Sequence, residues 1–181
     1  MKFRTLIFAL LACAFLSSLF AVEQVKTPFK GTYGAETIDS LTSTGLVKLN
    51  RTVITDHLSV NGSLIAQGAV IGYVEVIGEA NLTDTIIQNG GSILGYLQTH
   101  NATIHKPLIL NSQKAVFSSS KLSSITVVPM DGFKGKQIIE LRKKTIVDGP
   151  IVFESGKGEV HLFPGCQLLS PVKGGKVIKK K

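Results

Sequence analysis

The chain is poor in cysteine and in aromatic residues. Its 181 residues include two cysteines, Cys13 and Cys166, and no tryptophan, and aromatic residues make up 7%. If the N-terminal segment that carries Cys13 is removed, one thiol remains and no intramolecular disulfide can form. We therefore expect packing alone to stabilise the fold, with Cys166 as a small buried or turn residue. Val, Ile, Leu, Gly, Ser and Thr predominate instead, which is typical of short strands joined by tight turns.

Long apolar runs are also scarce, and the one that stands out lies at the N-terminus. Lys2 and Arg4 precede an apolar run from Leu6 to Leu16, and small or weakly polar residues lead on to Ala21. This order predicts a secretory signal peptide over the first 21 residues. The run is shorter than the roughly 20 residues that span a bilayer. We expect an exported protein (periplasmic, envelope-associated or extracellular) that is not transmembrane after cleavage; a retained anchor and a lipid site at Cys13 are the alternatives.

After the N-terminal segment, the chain has no excess of positive charge until residue 134. Residues 22–133 hold seven Lys or Arg and eight Asp or Glu, whereas residues 134–181 hold eleven and four. Such a basic end suits an anionic glycan or membrane surface, and a solvated tail that keeps the protein soluble is the alternative. Nucleic acid is not expected, because the basic residues lack interleaved aromatic residues. The candidate anion-binding residues are Arg142, Lys143, Lys144, Lys173, Lys176, Lys179, Lys180 and Lys181.

No segment has a sustained helical period, and apolar residues recur at six-residue intervals instead. Such a repeat suits a chain wound into a coil of three sides, about six residues per side, with one large residue per side facing the axis. The sequence therefore predicts an all-β, single-stranded parallel β-helix, or β-solenoid. The repeat occurs in two phases: Leu58, Leu64, Val70, Val76 and Leu82, then Ile104, Leu110, Val116, Leu122 and Val128.

The two phases do not join in register, and the turn signals divide the chain. We place the slip at Asn89-Gly90-Gly91, as a bulge or longer corner; a loop over residues 88–100 that leaves the coil is the alternative. Pro129-Met130-Asp131-Gly132 predicts a turn. The predicted parts are a signal peptide (1–21), an extended and partly disordered lead-in (22–45), a solenoid (46–172) that is looser and basic from about residue 133, and a basic tail (173–181).

Two resemblances follow from these residues. The hexads over Leu58–Val128, with their high Gly, Val and Ile content, resemble the bactofilin type of polymer-forming β-solenoid. The segment Thr145–Val160 resembles the closing part of uncharacterised, repeat-rich exported proteins of gammaproteobacteria. The first resemblance implies a right-handed coil and self-assembly. Left-handed hexapeptide acyltransferases are the other hexad family, but they favour a small residue after each aliphatic position, where this chain has residues such as Ile65 and Ile71.

Residues for catalysis are not grouped in the sequence. The core acids Asp56, Glu75, Glu79 and Asp84 are dispersed, and His57, His100, His105 and His161 show no metal-site spacing. Asn-x-Ser/Thr triplets at Asn50, Asn61, Asn81 and Asn101 suit the corners and outer faces of a solenoid. We therefore expect no enzyme activity and no cofactor. The expected role is structural, self-assembling or adhesive at the bacterial envelope, with the protein itself as one partner; the alternative is a binding module for an anionic glycan or lipid headgroup.

Overall fold

The computed structural model describes residues 25–27 and 30–181. The predicted signal peptide lies outside the described residues. None of the described residues is in a helix. The strands are β1 (Val25–Thr27), β2 (Lys30–Tyr33), β3 (Thr37–Ile38), β4 (Leu41–Ser43), β5 (Leu46–Asn50), β6 (Val53–Gln67), β7 (Val70–Thr83), β8 (Ile86–Ile87), β9 (Gly91–His100), β10 (Thr103–Ile104), β11 (Leu108–Asn111), β12 (Lys114–Ser118), β13 (Lys121–Leu122), β14 (Ile125–Val127), β15 (Ile138–Arg142), β16 (Ile146–Val147), β17 (Ile151–Phe153), β18 (Gly158–Leu162), β19 (Gln167–Leu168), β20 (Val172–Lys173) and β21 (Gly175–Lys179).

Each strand pairs in parallel with the strand one coil further along the chain. Val53 pairs with Val70, and Leu46 pairs with Ser63 at the same interval along the sequence. The pairing builds a β-solenoid of about nine turns, in which hydrogen-bonded coils lie about 4.8 Å apart. The predicted all-β parallel solenoid is confirmed. Its right hand and its three sides stay predictions.

The core is built from pairs of buried residues separated by one outward residue. Such pairs are Leu58 and Val60, Leu64 and Ala66, Ala69 and Ile71, Val74 and Val76, and Ala80 and Leu82. Because strand side chains alternate between the two faces, the half-buried Val70 faces outward between Ala69 and Ile71. The assignment of Val70 to the axis was wrong. Val128 is likewise half-buried beside the buried Val127.

The phase slip has a physical cause at one corner of the coil. Arg51, Asp84, Asn101 and Ser119 all have positive φ there, and a left-handed residue turns the chain within one position. Buried residues on either side of this corner are therefore more closely spaced than the hexads, as in Leu82 to Ile87 and Thr99 to Ile104. A second, smaller change lies where we expected the slip: Ile71 pairs with Ile87, and Val74 pairs with Gly91. The alternative loop over 88–100 is wrong, since β9 is paired along its length.

A buried hydroxyl group directly follows each of the left-handed residues Arg51, Asp84, Ser119 and Lys144. Thr52, Thr85 and Thr145 are fully buried and Ser120 is nearly so. The Thr145 hydroxyl donates to the carbonyl of Arg142 at 2.7 Å in its own corner and lies 3.1 Å from the carbonyl of Phe117 in the preceding coil. The hydroxyl is thereby paired inside the core, as buried polar groups generally are, and it adds a side-chain hydrogen bond to a carbonyl that also accepts from the backbone.

A second corner is a column of four glycines, which we call the glycine corner: Gly45, Gly62, Gly78 and Gly95. Gly62 pairs with Gly78, and Gly78 with Gly95. At Gly78 φ is +134°, and an added Cβ would meet the Gly62 carbonyl oxygen. Only glycine permits this backbone conformation and this close stacking. The column ends after Gly95, where the next coil carries Ser112 and Gln113.

Strand pairing extends beyond both bounds that the sequence indicated for the solenoid. In the described part of the predicted lead-in, β2 pairs with β5, and in the predicted tail β21 pairs with β18. Gly31, Ser40 and Ser43 are buried in the first coils. Because these inward residues are small or polar, they do not add to the six-residue apolar repeat. The repeat therefore could not predict that the first coils belong to the solenoid.

The basic third has wider loops. Lys114 pairs with Ile138, and Ile138 with Glu159, so both of these coils are longer than the coil from Val53 to Val70. The insertion lies between β14 and β15 at the position of the glycine corner. The side-chain amide of Gln137 closes it by donating to the carbonyls of Ser112 and Val128 at 3.1 and 2.8 Å. Cys166, further along, is half-buried and packs against the core.

Candidate anion-binding site

Four lysines surround a groove at the continuation of the glycine corner. Lys134 and Lys136 come from the insertion between β14 and β15, Lys157 from the turn before β18, and Lys176 from β21. We call this the lysine groove. It encloses about 560 Å³, within the roughly 300–1,000 Å³ of ligand pockets. Residues that are distant in the sequence meet there because each coil returns the chain to the same corner.

The floor of the groove is backbone without side chains. Gly156, Gly158, Gly174 and Gly175 line it. The Phe153 ring lies directly beneath, where a Cβ on Gly158 would overlap it and one on Gly175 would lie 2.6 Å from it. Core packing against the Phe153 ring therefore requires glycine at Gly158 and Gly175, whereas Gly156 and Gly174 have positive φ. Their consequence at the surface is a trough into which the lysine side chains can reach.

The side chains that line the groove carry a net positive charge. Glu159 is the carboxylate among its described lining residues, and it is already paired. Lys136 Nζ lies 2.5 Å from its Oε1, and His161 Nε2 lies 3.1 Å from its Oε2. Hydrogen bonds from Lys136 and His161 lower the pKa of Glu159, so it stays ionised at neutral pH. Lys134, Lys157 and Lys176 form no ion pair with any described residue.

A network of charged side chains lies beside the groove on the outer face of β12, β15 and β18. Glu140 is 6% exposed. Its Oε1 lies 2.8 Å from Lys114 Nζ, and its Oε2 lies 2.6 Å from Arg142 Nη2. His161 Nδ1 is 3.9 Å from Glu140, which places this imidazole between two carboxylates. Such an arrangement can move protons, but lysine and arginine pair both carboxylates here, which favours a structural ion-pair network.

Glu140 should make stability depend on pH. Burial alone raises the pKa of its carboxyl, but the hydrogen bonds and charges of Lys114 and Arg142 outweigh burial and hold the pKa below its ordinary value of 4.5. Because the folded pKa lies below the unfolded one, the stabilisation is complete above about pH 5 and is lost as the pH falls through the folded value.

Glu140→Gln is therefore expected to lower the free energy of unfolding at pH 7 by about 1–3 kcal/mol, with the difference from the wild type shrinking towards pH 3. Urea unfolding followed by circular dichroism over this range measures it. Glu154→Gln, at an exposed position, is the control. An effect of Glu140→Gln that did not change with pH would contradict the ion-pair account.

The structure distributes the sequence-predicted anion-binding residues over several places. Lys176 lies in the groove. Arg142 is bound to Glu140 and stacks over Phe163, 4.8 Å from the ring centre. Lys143 and Lys144 occupy a left-handed turn at the other end of β15 and are exposed.

The remaining predicted lysines belong to the last two strands and the residues after them. Lys173 pairs with Val152 and is exposed. Lys179 pairs with Leu162, and Leu162 pairs with the buried Leu141. Lys179 is therefore the last residue in a column of inward-facing side chains. Lys180 follows β21 and is half-buried, and Lys181 is exposed.

Sequence reasoning missed Lys134, Lys136 and Lys157 as site residues. All three lie in connecting segments, the insertion between β14 and β15 and the turn before β18. The available signal was the recurrence of lysine beside glycine at both turns and again at Lys173–Lys176. That signal points to a site only when the length of each coil is known from the strand pairing.

The outer face also carries an apolar patch, formed by Ile77, Leu94 and Ile109. Their exposed fractions are 54%, 42% and 42%. Ile77 and Leu94 are paired neighbours, and Ile109 pairs with Ser92, which lies just before Leu94 on the same face of the same strand. Ile77 and Leu94 are thus direct neighbours on adjacent strands, and Ile109 lies diagonal to Leu94 on the next strand. Contiguous exposed apolar surface marks interaction sites in soluble proteins.

One carboxylate lies beside the apolar patch, and it is paired. His57 Nε2 is 3.3 Å from Glu75 Oε2, and the His57 ring stacks on Tyr73 at 5.3 Å.

Across the described residues, no group of three His, Cys, Asp or Glu side chains could hold a metal ion. The same part of the chain includes no helix long and apolar enough to cross a membrane.

No protein-family model matches this chain, and no curated protein or solved structure is significantly similar to it.

Proposed function

We propose that this protein is an exported, non-enzymatic β-solenoid with a structural, self-assembling or adhesive role at the bacterial envelope, similar in kind to the bactofilins. The observation that carries the proposal is the apolar patch on a parallel sheet face. Large aliphatic side chains exposed together lose contact with water when they meet another surface, which contributes about 25 cal/mol per Å² of apolar area. The signal-like N-terminus supports export.

The proposed occupant of the patch is a second copy of this chain. The residues around it are Ser59, Asn61 and Ser92, which are neutral, and Glu75, which is paired with His57. Two copies that place their patches face to face therefore bring together mainly neutral surface, with one carboxylate per copy that lies 3.3 Å from the His57 ring. Sheet faces pack well in this way, because their side chains interdigitate.

Side-by-side contact is favoured over stacking on β21. Lys179 occupies the column of Leu141 and Leu162. A further coil paired with β21 would bury the Lys179 ammonium in that column, and an unpaired buried charge is strongly unfavourable. Inward-facing charges on edge strands are a common protection against edge-to-edge pairing.

Light scattering coupled to size-exclusion chromatography, with negative-stain microscopy of the same fractions, tests the proposal. The wild type is expected to self-associate as its concentration rises, and Ile77→Lys/Leu94→Lys to remain monomeric. Gln67→Lys/Gln88→Lys is the matched control, because it adds the same charge at exposed positions outside the patch. A wild type that stays monomeric at every concentration and salt would overturn self-assembly.

A second candidate function is binding of an anionic partner through the basic third. The lysine groove favours it, because three of its four lysines lack an acidic partner among the described residues. The two functions use different surfaces and are compatible in one molecule.

A further inference from the structure

We propose that the lysine groove binds a linear acidic polysaccharide. This inference rests on the second candidate function and gives it a site and a ligand class. It differs from a general attraction to the basic C-terminus, because it assigns binding to Lys134, Lys157 and Lys176 and not to every exposed lysine of the last third.

The first argument is charge. Lysines from three chain segments face one trough, and the Glu159 carboxylate there is already engaged with Lys136 and His161. Lysines held close together without counter-charges repel one another. A bound carboxylate or sulfate relieves that repulsion, and the interaction weakens as salt screens it.

The second argument is shape. The floor of exposed glycine backbone, with Gly158 and Gly175 over the Phe153 ring, lets a narrow chain lie close to the solenoid. A groove of this kind suits a strand-like polymer that enters it, whereas a bilayer presents its headgroups in a plane. The concavity therefore favours a polysaccharide over a membrane surface.

The third argument is continuation of the charge beyond the groove. Val177 pairs with the inward Val160, so Lys176, Ile178 and Lys180 alternate on the outward side. At about 3.3 Å per residue, Lys176 and Lys180 are about 13 Å apart along the chain. A linear polyanion leaving the groove along β21 meets this second lysine.

The lack of aromatic residues in its lining distinguishes this groove from binding sites for single-stranded nucleic acid. Such sites combine positive charge with exposed rings on which bases stack. None of the residues that line the lysine groove is aromatic, and the Phe163 ring beside β21 is covered by Arg142. Phe133 is half-buried in an adjoining pocket that shares Lys134 and Lys157. Because no ring lines the groove itself, its charge favours an acidic sugar polymer.

Fluorescence anisotropy with a labelled oligogalacturonate is the test, using the full chain and neutral dextran as a non-binding control. Lys157→Glu/Lys176→Glu is expected to weaken binding at least tenfold, and wild-type binding should weaken with added salt. Lys143→Glu/Lys144→Glu is the matched control: it reverses the same number of charges at exposed positions of the same basic third, and it should change affinity less than threefold. Thermal unfolding of each variant confirms that it is folded.

Several outcomes would overturn the proposal: equal losses in both double variants, no binding of oligogalacturonate, or stronger binding to phosphatidylglycerol vesicles or to oligo(dT). Ile77→Lys/Leu94→Lys should leave oligogalacturonate binding intact, and Lys157→Glu/Lys176→Glu should leave self-association intact. Failure of the groove and failure of self-assembly are therefore separable.

Discussion

Ile71→Asp is expected to abolish folding, whereas Val70→Asp, at the neighbouring position, leaves the protein folded. The Ile71 side chain is fully buried between coils, and Val70 is half-buried on the outer face. An unpaired carboxylate in the core costs several kcal/mol, which is comparable to the total stability of about 5–15 kcal/mol of a domain. Val70→Asp should cost about 1 kcal/mol.

Circular dichroism with urea unfolding distinguishes these two variants. Ile71→Asp should show no cooperative transition, and Val70→Asp should show one near that of the wild type. The opposite order, with Val70→Asp the more damaging, would mean that the chain is in the phase of the simple hexads and that the observed buried pairs are misplaced.

Gly78→Ala is expected to destabilise the protein by about 3 kcal/mol or more, from backbone strain and a steric clash combined. Its φ of +134° is unfavourable for alanine, and the new methyl group would overlap the Gly62 carbonyl oxygen of the preceding coil. The clash lies inside the ladder, so relief requires neighbouring coils to separate and the β6–β7 hydrogen bonds to lengthen.

Gly34→Ala is the control for Gly78→Ala and should act in the opposite direction. A Cβ at Gly34 meets nothing within 4 Å, and its φ is not in the left-handed region. Alanine there is expected to stabilise by about 0.4–1 kcal/mol, because it restricts the unfolded chain. Thermal unfolding of both variants measures the difference. Equal effects would show that the glycine corner is not a close contact.

The fold could be predicted from the sequence because one large apolar residue per side is enough to reveal a coil. Leu58, Leu64, Val76 and Leu82 are all buried, as the hexads predicted. The assignment failed at Val70, because shorter spacings mix with the hexads and a fixed six-residue interval then falls on an outward position. The left-handed conformations that shorten the corner occur at Arg51, Asp84 and Asn101. Asp and Asn adopt this conformation more often than other non-glycine residues, but arginine does not, so the sequence marks the corner in some coils only.

The candidate site was less predictable than the fold. Lys176 was among the predicted anion-binding residues, but its neighbours Lys134 and Lys157 come from other coils. Their meeting depends on the long and unequal coils of the basic third, which no period in the sequence encodes. The Glu140 network was missed for the same reason, since Lys114 and Glu140 meet across the insertion.

The insertion between β14 and β15 has a consequence for protein engineering. The chain leaves the solenoid after Val127, returns at Ile138, and resumes parallel pairing on both sides, while Gln137 ties the two ends together. This corner therefore accommodates an inserted loop without changing the register of strand pairing on either side. A peptide grafted between Met130 and Gly135 should therefore be displayed at this corner while the strands on either side keep their pairing, which makes the solenoid a scaffold for presenting one foreign loop.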